Sequence, residues 1–112
     1  MSEQRLESMI EMSAQVICDP AQALDKLPAK LAAQWPDAPA LELTVALASA
    51  ADAVQAIFGE AGEAGQRAQR VWRQAAMVGA DVHYLTLGGA AASTAGDLLA
   101  LWQSEDGMDS ST

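Results

Sequence analysis

Any fold for this chain has to accommodate residues 41–58, LELTVALASAADAVQAIF, and that requirement organises everything else. On a helix, Leu43, Leu47, Ala50, Val54, Ile57 and Phe58 recur at steps of three and four, which places them on one side. Leu41 and Val45 fall on the opposite side, so the first turns are apolar almost all round. Asp52 and Gln55 break that second side near the end. The pattern predicts a central helix over residues 40–58, covered by neighbours at its start and half-exposed at its end.

The flanking segments read as helices too. Leu6, Met9, Ile10, Ser13, Val16 and Ile17 keep helical spacing, with Glu3, Glu7 and Glu11 outside it, which predicts an amphipathic first helix stopping near Cys18. Asp19-Pro20 then restarts the chain, since Asp accepts from free first-turn amides and Pro suits the first helical position. Gln22 occupies the capping-box position. Leu24, Leu27, Leu31 and Trp35 form the next stripe, with Pro28 expected to kink it or split it in two. Pro36 and Pro39 close the segment, because a residue before proline is pushed out of helical geometry.

Gly59, Gly62 and Gly65 mark a turn or a frayed helical start. From Gln66 the helical period returns, with Ala68, Val71, Ala75, Val78, Val82 and Leu85 in one stripe bordered by Trp72. The run Val82-His83-Tyr84-Leu85-Thr86-Leu87 has residues that suit a strand. No other segment offers it a partner strand, so helix is expected. Gly88-Gly89 interrupts, and a last helix carries Ala91, Ala95, Leu98, Leu99 and Trp102, with Thr94 and Asp97 spaced as a cap for a shorter version. The fold expected is all-α: a bundle of four to five helices, antiparallel neighbours joined by short connections. Residues 1–103 form its single domain, and 104–112 form a disordered acidic tail.

Composition narrows the function. The 112 residues are 51% hydrophobic but only 4% aromatic, so the core is largely alanine and thin, and a thin core leans on a partner subunit. A net charge of −9 argues against nucleic acid and anionic membranes as partners, both of which call for cationic surfaces. The N-terminus lacks the pattern of a secretory signal, and charged residues interrupt each apolar run, so a soluble cytoplasmic protein is expected. One cysteine, Cys18, leaves no intrachain disulfide and no cysteine-based zinc site, and it reads as a small buried residue.

No sequence motif of hydrolases, nucleotide-binding proteins or zinc enzymes is present, and the Glu-x-x-His pairs of a di-metal bundle are missing. Neither a cofactor nor an enzyme activity is expected. His83, the single histidine, reads as a packed or partly exposed side chain; the tryptophans and Met9, Met12 and Met77 read as packing residues. The best-localised polar feature is Arg67, Arg70 and Arg73 around Trp72. These four residues are the candidate site for an acidic protein partner, against the plainer reading of a solvated face with Glu63 pairing Arg67.

Gly88, Ala92 and Gly96 recur every four positions and on a continuous helix would make a shallow groove. With Leu98, Leu99 and Trp102 as anchors, they predict a homodimer in which the last helix, with part of the 71–85 helix, packs against its symmetry mate. The competing reading makes the glycines a loop, with Thr94 opening the final helix. The function expected is therefore non-catalytic: a small helical protein acting through self-association or partner docking. The alternative is a bundle binding a small apolar ligand between the central helix and the 71–85 stripe.

Overall fold

The computed structural model describes residues 2–89 and 93–111, and for residue 2 and residues 106–111 the backbone only. The chain is an all-α bundle, 79% helical. Five helices appear among the described residues: α1 (Ser2–Cys18), α2 (Leu27–Gln34), α3 (Ala40–Phe58), α4 (Glu63–Leu87) and α5 (Ala95–Ser111).

The central helix forms where the spacing predicts it. α3 buries Ala40, Leu43, Ala46, Leu47, Ala50, Ala51 and Val54 and packs most extensively on α4, then on α1. Pro39, with φ −56° and ψ 136°, sets its start, and Gly59, in the left-handed region at φ +78°, ends it. Two expectations for this helix fail. Leu41 and Val45 are 58% and 42% exposed, because among the described residues no element covers that side of the first turns. Ile57 and Phe58 stay on the inward stripe by register, yet are 75% and 58% exposed.

The reason lies in α1. Arg5 donates to Glu42 at 2.8 Å, which aligns the beginnings of α1 and α3. Arg67, in the first turns of α4, reaches the last carbonyls of α1. Since α4 begins where α3 ends, α1 and α3 run the same way and α4 runs back between their ends. α1 has 17 residues and α3 has 19, so the last turn of α3 projects past its neighbour.

The link after α1 is a turn rather than a helix. The capping contacts expected of Asp19 do form: Ala21 N–H donates to Oδ1 at 3.0 Å and Gln22 Nε2 to Oδ2 at 3.1 Å. A helix does not propagate from them: the turn closes on itself, Gln22 N–H donating to the Asp19 carbonyl at 3.0 Å, and Arg67 ties the Asp19 and Gln22 carbonyls to α4. α2 starts only at Leu27, and Pro28 lies in its first turn, where a missing N–H costs nothing. The kink expected at Pro28 is therefore absent. Leu24, Leu27 and Leu31 are buried as the stripe requires, and Trp35 is half-buried.

α4 starts at Glu63, earlier than the periodicity of its apolar stripe suggests. Gly65 makes this start compatible with a tight loop. A Cβ there would overlap the Gly59 carbonyl oxygen and lie 2.8 Å from the Glu60 backbone. The 82–87 run is helical and no strand forms among the described residues. Thr86 Oγ1 donates to the Val82 carbonyl at 3.0 Å, a bond that belongs to a helix.

α4 and the last helix are separate. α4 ends at Leu87, and α5 opens at Ala95 behind a reciprocal cap, Thr94 N–H donating to Asp97 Oδ2 at 2.8 Å and Asp97 N–H to Thr94 Oγ1 at 3.3 Å. The start of α5 is laced to the segment after α2: Ala40 N–H donates to the Ser93 carbonyl, Ala95 N–H to Ala38 and Gly96 N–H to Pro36. α5 keeps a helical backbone through Ser111, into the stretch whose acidic composition argues for disorder; once nucleated, a helix extends by one bond per residue fixed.

The core is thin, as the composition implies. Among the described residues, nine of 21 buried apolar side chains are alanines and none is aromatic, so helices approach closely while each residue fills little volume. The bundle measures 40 × 39 × 21 Å. Its short dimension equals about two helix diameters.

Candidate functional site

The arginine cluster does not hold together. Arg67, Arg70 and Arg73 turn through about 60° of helix at each step, and Arg67 falls beside the buried stripe of Val71 and Val78. Its Nε donates to the Ile17 carbonyl at 2.7 Å. Its Nη2 lies 2.8 Å from each of the Val16, Asp19 and Gln22 carbonyls. Two hydrogens serve three acceptors there, so at least one contact is shared. The guanidinium thus satisfies the open carbonyls at the end of α1 and places a cation at the negative end of its dipole. Its pairing is with this backbone, and Glu63 is exposed. Trp72 is also turned inward, its indole N–H donating to Gln55 Oε1 at 3.0 Å. Arg70 and Arg73 alone remain exposed, and neither forms an ion pair among the described residues.

The stripe assigned to self-association is dispersed in the same way. Gly88 caps the end of α4, and Gly96 sits in the first turn of α5 against Pro36, where an added Cβ would meet the Pro36 oxygen at 3.2 Å. Ala92 lies outside the described residues. Leu98 is fully buried in the chain's own core, Leu99 is half-buried against it, and Trp102 donates to Asp81 Oδ2 at 2.8 Å. The continuous groove does not exist because the helix breaks at Gly88-Gly89, the latter at φ +98°. The loop reading, with Thr94 opening the helix, is the one realised.

Other candidates settle simply. His83 is exposed, and Asp81 is engaged by Trp102. Cys18 is exposed and not buried as expected, since it ends α1 at the surface. Met9 is buried and Met12 half-buried, but Met77 is 67% exposed. Among the described residues Asp19 is the one group with a displaced acidity: the Gln22 side chain, the Ala21 amide and the Arg67 charge hold its carboxyl below its ordinary value. No group of His, Cys, Asp and Glu fit to hold a metal ion occurs among the described residues.

Two surfaces remain that sequence reasoning did not place. One is the outer face shared by α3 and α4. Gln55 contacts Gln69 and Trp72, while Gly79 faces Thr44, so the two helices are antiparallel and in register. Leu41, Val45 and Ala48 line the outer side of α3, and Ala76, His83 and Leu87 flank them on α4. Leu87 is 73% exposed. The Thr44 hydroxyl beneath is buried without a hydrogen-bond partner. α3 is also long and apolar enough, by length and composition, to cross a membrane, although its inner side is packed in the bundle.

The other surface is a cleft of about 450 Å³ between the start of α2, the middle of α4 and α5. Pro28, Ala29, Met77 and Val78 form its apolar wall with Trp102 at one end. Asp25, Lys26, Gln74 and Asp81 supply its polar groups. It opens towards α2 and α5, whereas the cavity expected lies between the central helix and the 71–85 stripe. Its sequence signal was the flank of α4: Gln74, Met77, Val78 and Asp81 keep steps of three and four beside the buried stripe.

No family model, curated protein or solved structure matches this chain.

Proposed function

We propose that the protein is a non-catalytic helical module that works by associating with a second copy of itself, through the outer face of α3 and α4. The observation that supports this reading is that Leu41 and Val45, on the most apolar helix of the chain, and Leu87 beside them on α4 are large apolar groups left exposed, with half-buried Ala48 on the same face. The bundle is two helices thick, and among the described residues no third layer lies over them.

Charge favours a second copy as the occupant. In a two-fold contact each residue lies near its own equivalent or an equivalent neighbour, so a face carrying net charge would repel itself. The chain is strongly acidic at −9, yet on this face of α3 Asp52 is the one charged residue, and Glu42 is held by Arg5 at the side. The face spans the 19 residues of α3, about 28 Å, by two helix widths, roughly 500 Å² per protomer. That lies below the roughly 800 Å² per partner of a standard interface, so a micromolar dimer is expected.

Sedimentation equilibrium tests it. The wild type should reversibly dimerise in the micromolar range, and Val45→Glu, at an exposed position, should remain monomeric with an unchanged circular dichroism spectrum. A wild type still monomeric at about 100 μM, or a Val45→Glu dimer as tight as the wild type, refutes the reading. An acidic protein partner at the arginines is less favoured, because Arg67 and Trp72 are committed inside the fold and the remaining two cations sit on an otherwise acidic chain.

A further inference from the structure

The cleft between α2, α4 and α5 has the size of a ligand site, and its chemistry is specific. Its volume of about 450 Å³ falls within the range of small-molecule pockets. An apolar wall runs between two carboxylates. Gln74 Nε2 donates to the Leu24 carbonyl at 2.6 Å, so Asp25, the next residue, belongs to the Gln74 end. Asp81 lies seven positions along α4 from Gln74, about 10 Å by the rise of a helix, and marks the Trp102 end. Trp102 holds one oxygen of Asp81 through its indole N–H and leaves the other oxygen available.

Gln74 adds an unmet acceptor. Its amide nitrogen is fixed by the bond to Leu24, so the opposite atom is the oxygen, and Oε1 is buried with no donor. Beneath the Asp25 end of the cleft, therefore, lies an acceptor that a small turn of the carboxamide would offer to a donor. The groups ask for hydrogen-bond donors and positive charge at the two ends, and for hydrocarbon between them.

We propose that this cleft binds a linear α,ω-diamine, one ammonium at Asp81 against the face of Trp102 and the other at Asp25 and Gln74. The methylene chain lies on Pro28, Ala29, Met77 and Val78. Ammonium groups are attracted to carboxylates and to aromatic faces, and the net charge of −9 raises their local concentration. Lys26, on the same rim, is the one cation among the lining residues and opposes the ligand. This inference stands apart from self-association, since the cleft lies away from the outer face of α3.

Titration calorimetry with putrescine (diaminobutane), together with the indole N–H resonance of Trp102, tests it. The wild type should bind one equivalent saturably at submillimolar concentration and shift that resonance. Butylamine should bind at least about tenfold more weakly, and succinate should not bind. Asp25→Asn and Asp81→Asn should each weaken putrescine about two- to fivefold, the weight of one partly exposed charge pair. Lys26→Met should tighten it. Asp25 is exposed, so its variant reports on binding even if Asp81→Asn disturbs the Trp102 contact. No saturable binding at millimolar putrescine overturns the proposal. So does equal affinity for butylamine, or an equal loss in Glu60→Gln, which would mean that the cation only condenses on an acidic chain.

Discussion

Removing the Arg67 side chain should be the most damaging surface-directed change in this protein, although the residue looks like one of three equivalent helix cations. Its head group meets four carbonyls, three at 2.8 Å and one at 2.7 Å, at the end of α1 and in the turn that follows. A hydrogen bond to a charged group contributes about 1.5–3 kcal/mol net, but four on one guanidinium are not additive. The site is half-buried, so water can replace part of what is lost. About 3–4 kcal/mol for Arg67→Ala is the resulting figure, a large share of the roughly 5–15 kcal/mol that holds a domain together. At this chain length about 4 °C accompanies each kcal/mol, so the melting temperature should fall by roughly 12–16 °C.

Arg67→Met separates the head group from its stem, since Met keeps the apolar packing, and should lose nearly as much as Ala. Arg67→Lys retains the charge at the negative end of the α1 dipole but has no planar fork, and should recover about half. Arg70→Ala and Arg73→Ala, both at exposed positions, should each change stability by less than about 0.5 kcal/mol. Urea denaturation followed by circular dichroism measures all five. An Arg67→Ala midpoint no lower than that of Arg70→Ala would refute the reasoning.

Gly65→Ala should abolish or severely impair folding, because its Cβ would overlap the Gly59 carbonyl, while Gly62→Ala, with open space around it, should be neutral; thermal melts compare them. Leu47→Ala should cost about 2–5 kcal/mol and Val54→Ala somewhat less. Gln55→Ala should cost about 1 kcal/mol by denaturation, more than its position on the sparse side of α3 suggests, since it contacts Gly65, Gln69 and Trp72. The carboxyl of Asp19 is held below its usual acidity by Gln22, then Ala21 and Arg67. A folded value depressed below the unfolded one contributes stability above the unfolded value, about pH 4, which is lost as pH falls through the folded value. Asp19→Asn should therefore be less stable than wild type at pH 6 by urea midpoint, with the gap closing towards pH 3.

Much of the fold is legible in local pattern, and the particular failures share one cause. The bounds of α3 follow from Pro39 and Gly59 at its ends, and α5 starts where the Thr94–Asp97 spacing places a cap. The 82–87 run is decided by the lack of a partner strand rather than by its own residues. What local pattern misreads is whatever depends on a distant residue. Asp19 and Gln22 make their capping contacts and still close a turn and not a helix, and that turn is tied to α4 by a guanidinium some fifty residues on. Arg67 itself carried a signal: it precedes Val71 and Val78 by four and eleven positions, in register with the buried stripe. The same register holds for Gln74, whose amide reaches Leu24.

The exposed surfaces follow from geometry that no single segment encodes. Leu41 and Val45 are apolar, and their exposure is decided by where α1 and α4 lie around α3. Those positions are set by Arg5 with Glu42 on one side and by Thr44 against Gly79 on the other. With both neighbours in place on the flanks and the core, the outer side of α3 is left over. A bundle 21 Å thick has no element to put there. The cleft arises by a similar subtraction. α2 begins only at Leu27; Arg67 anchors the preceding turn at Asp19 and Gln22, and Gln74 tethers the chain at Leu24. The shortened α2 leaves Asp25 and Lys26 facing α4 across a gap that Trp102 closes at one end. One arginine that reads as a surface charge therefore shapes the pocket whose chemistry a diamine would match, and loosening it should disturb the cleft before it disturbs the α3–α4 pair.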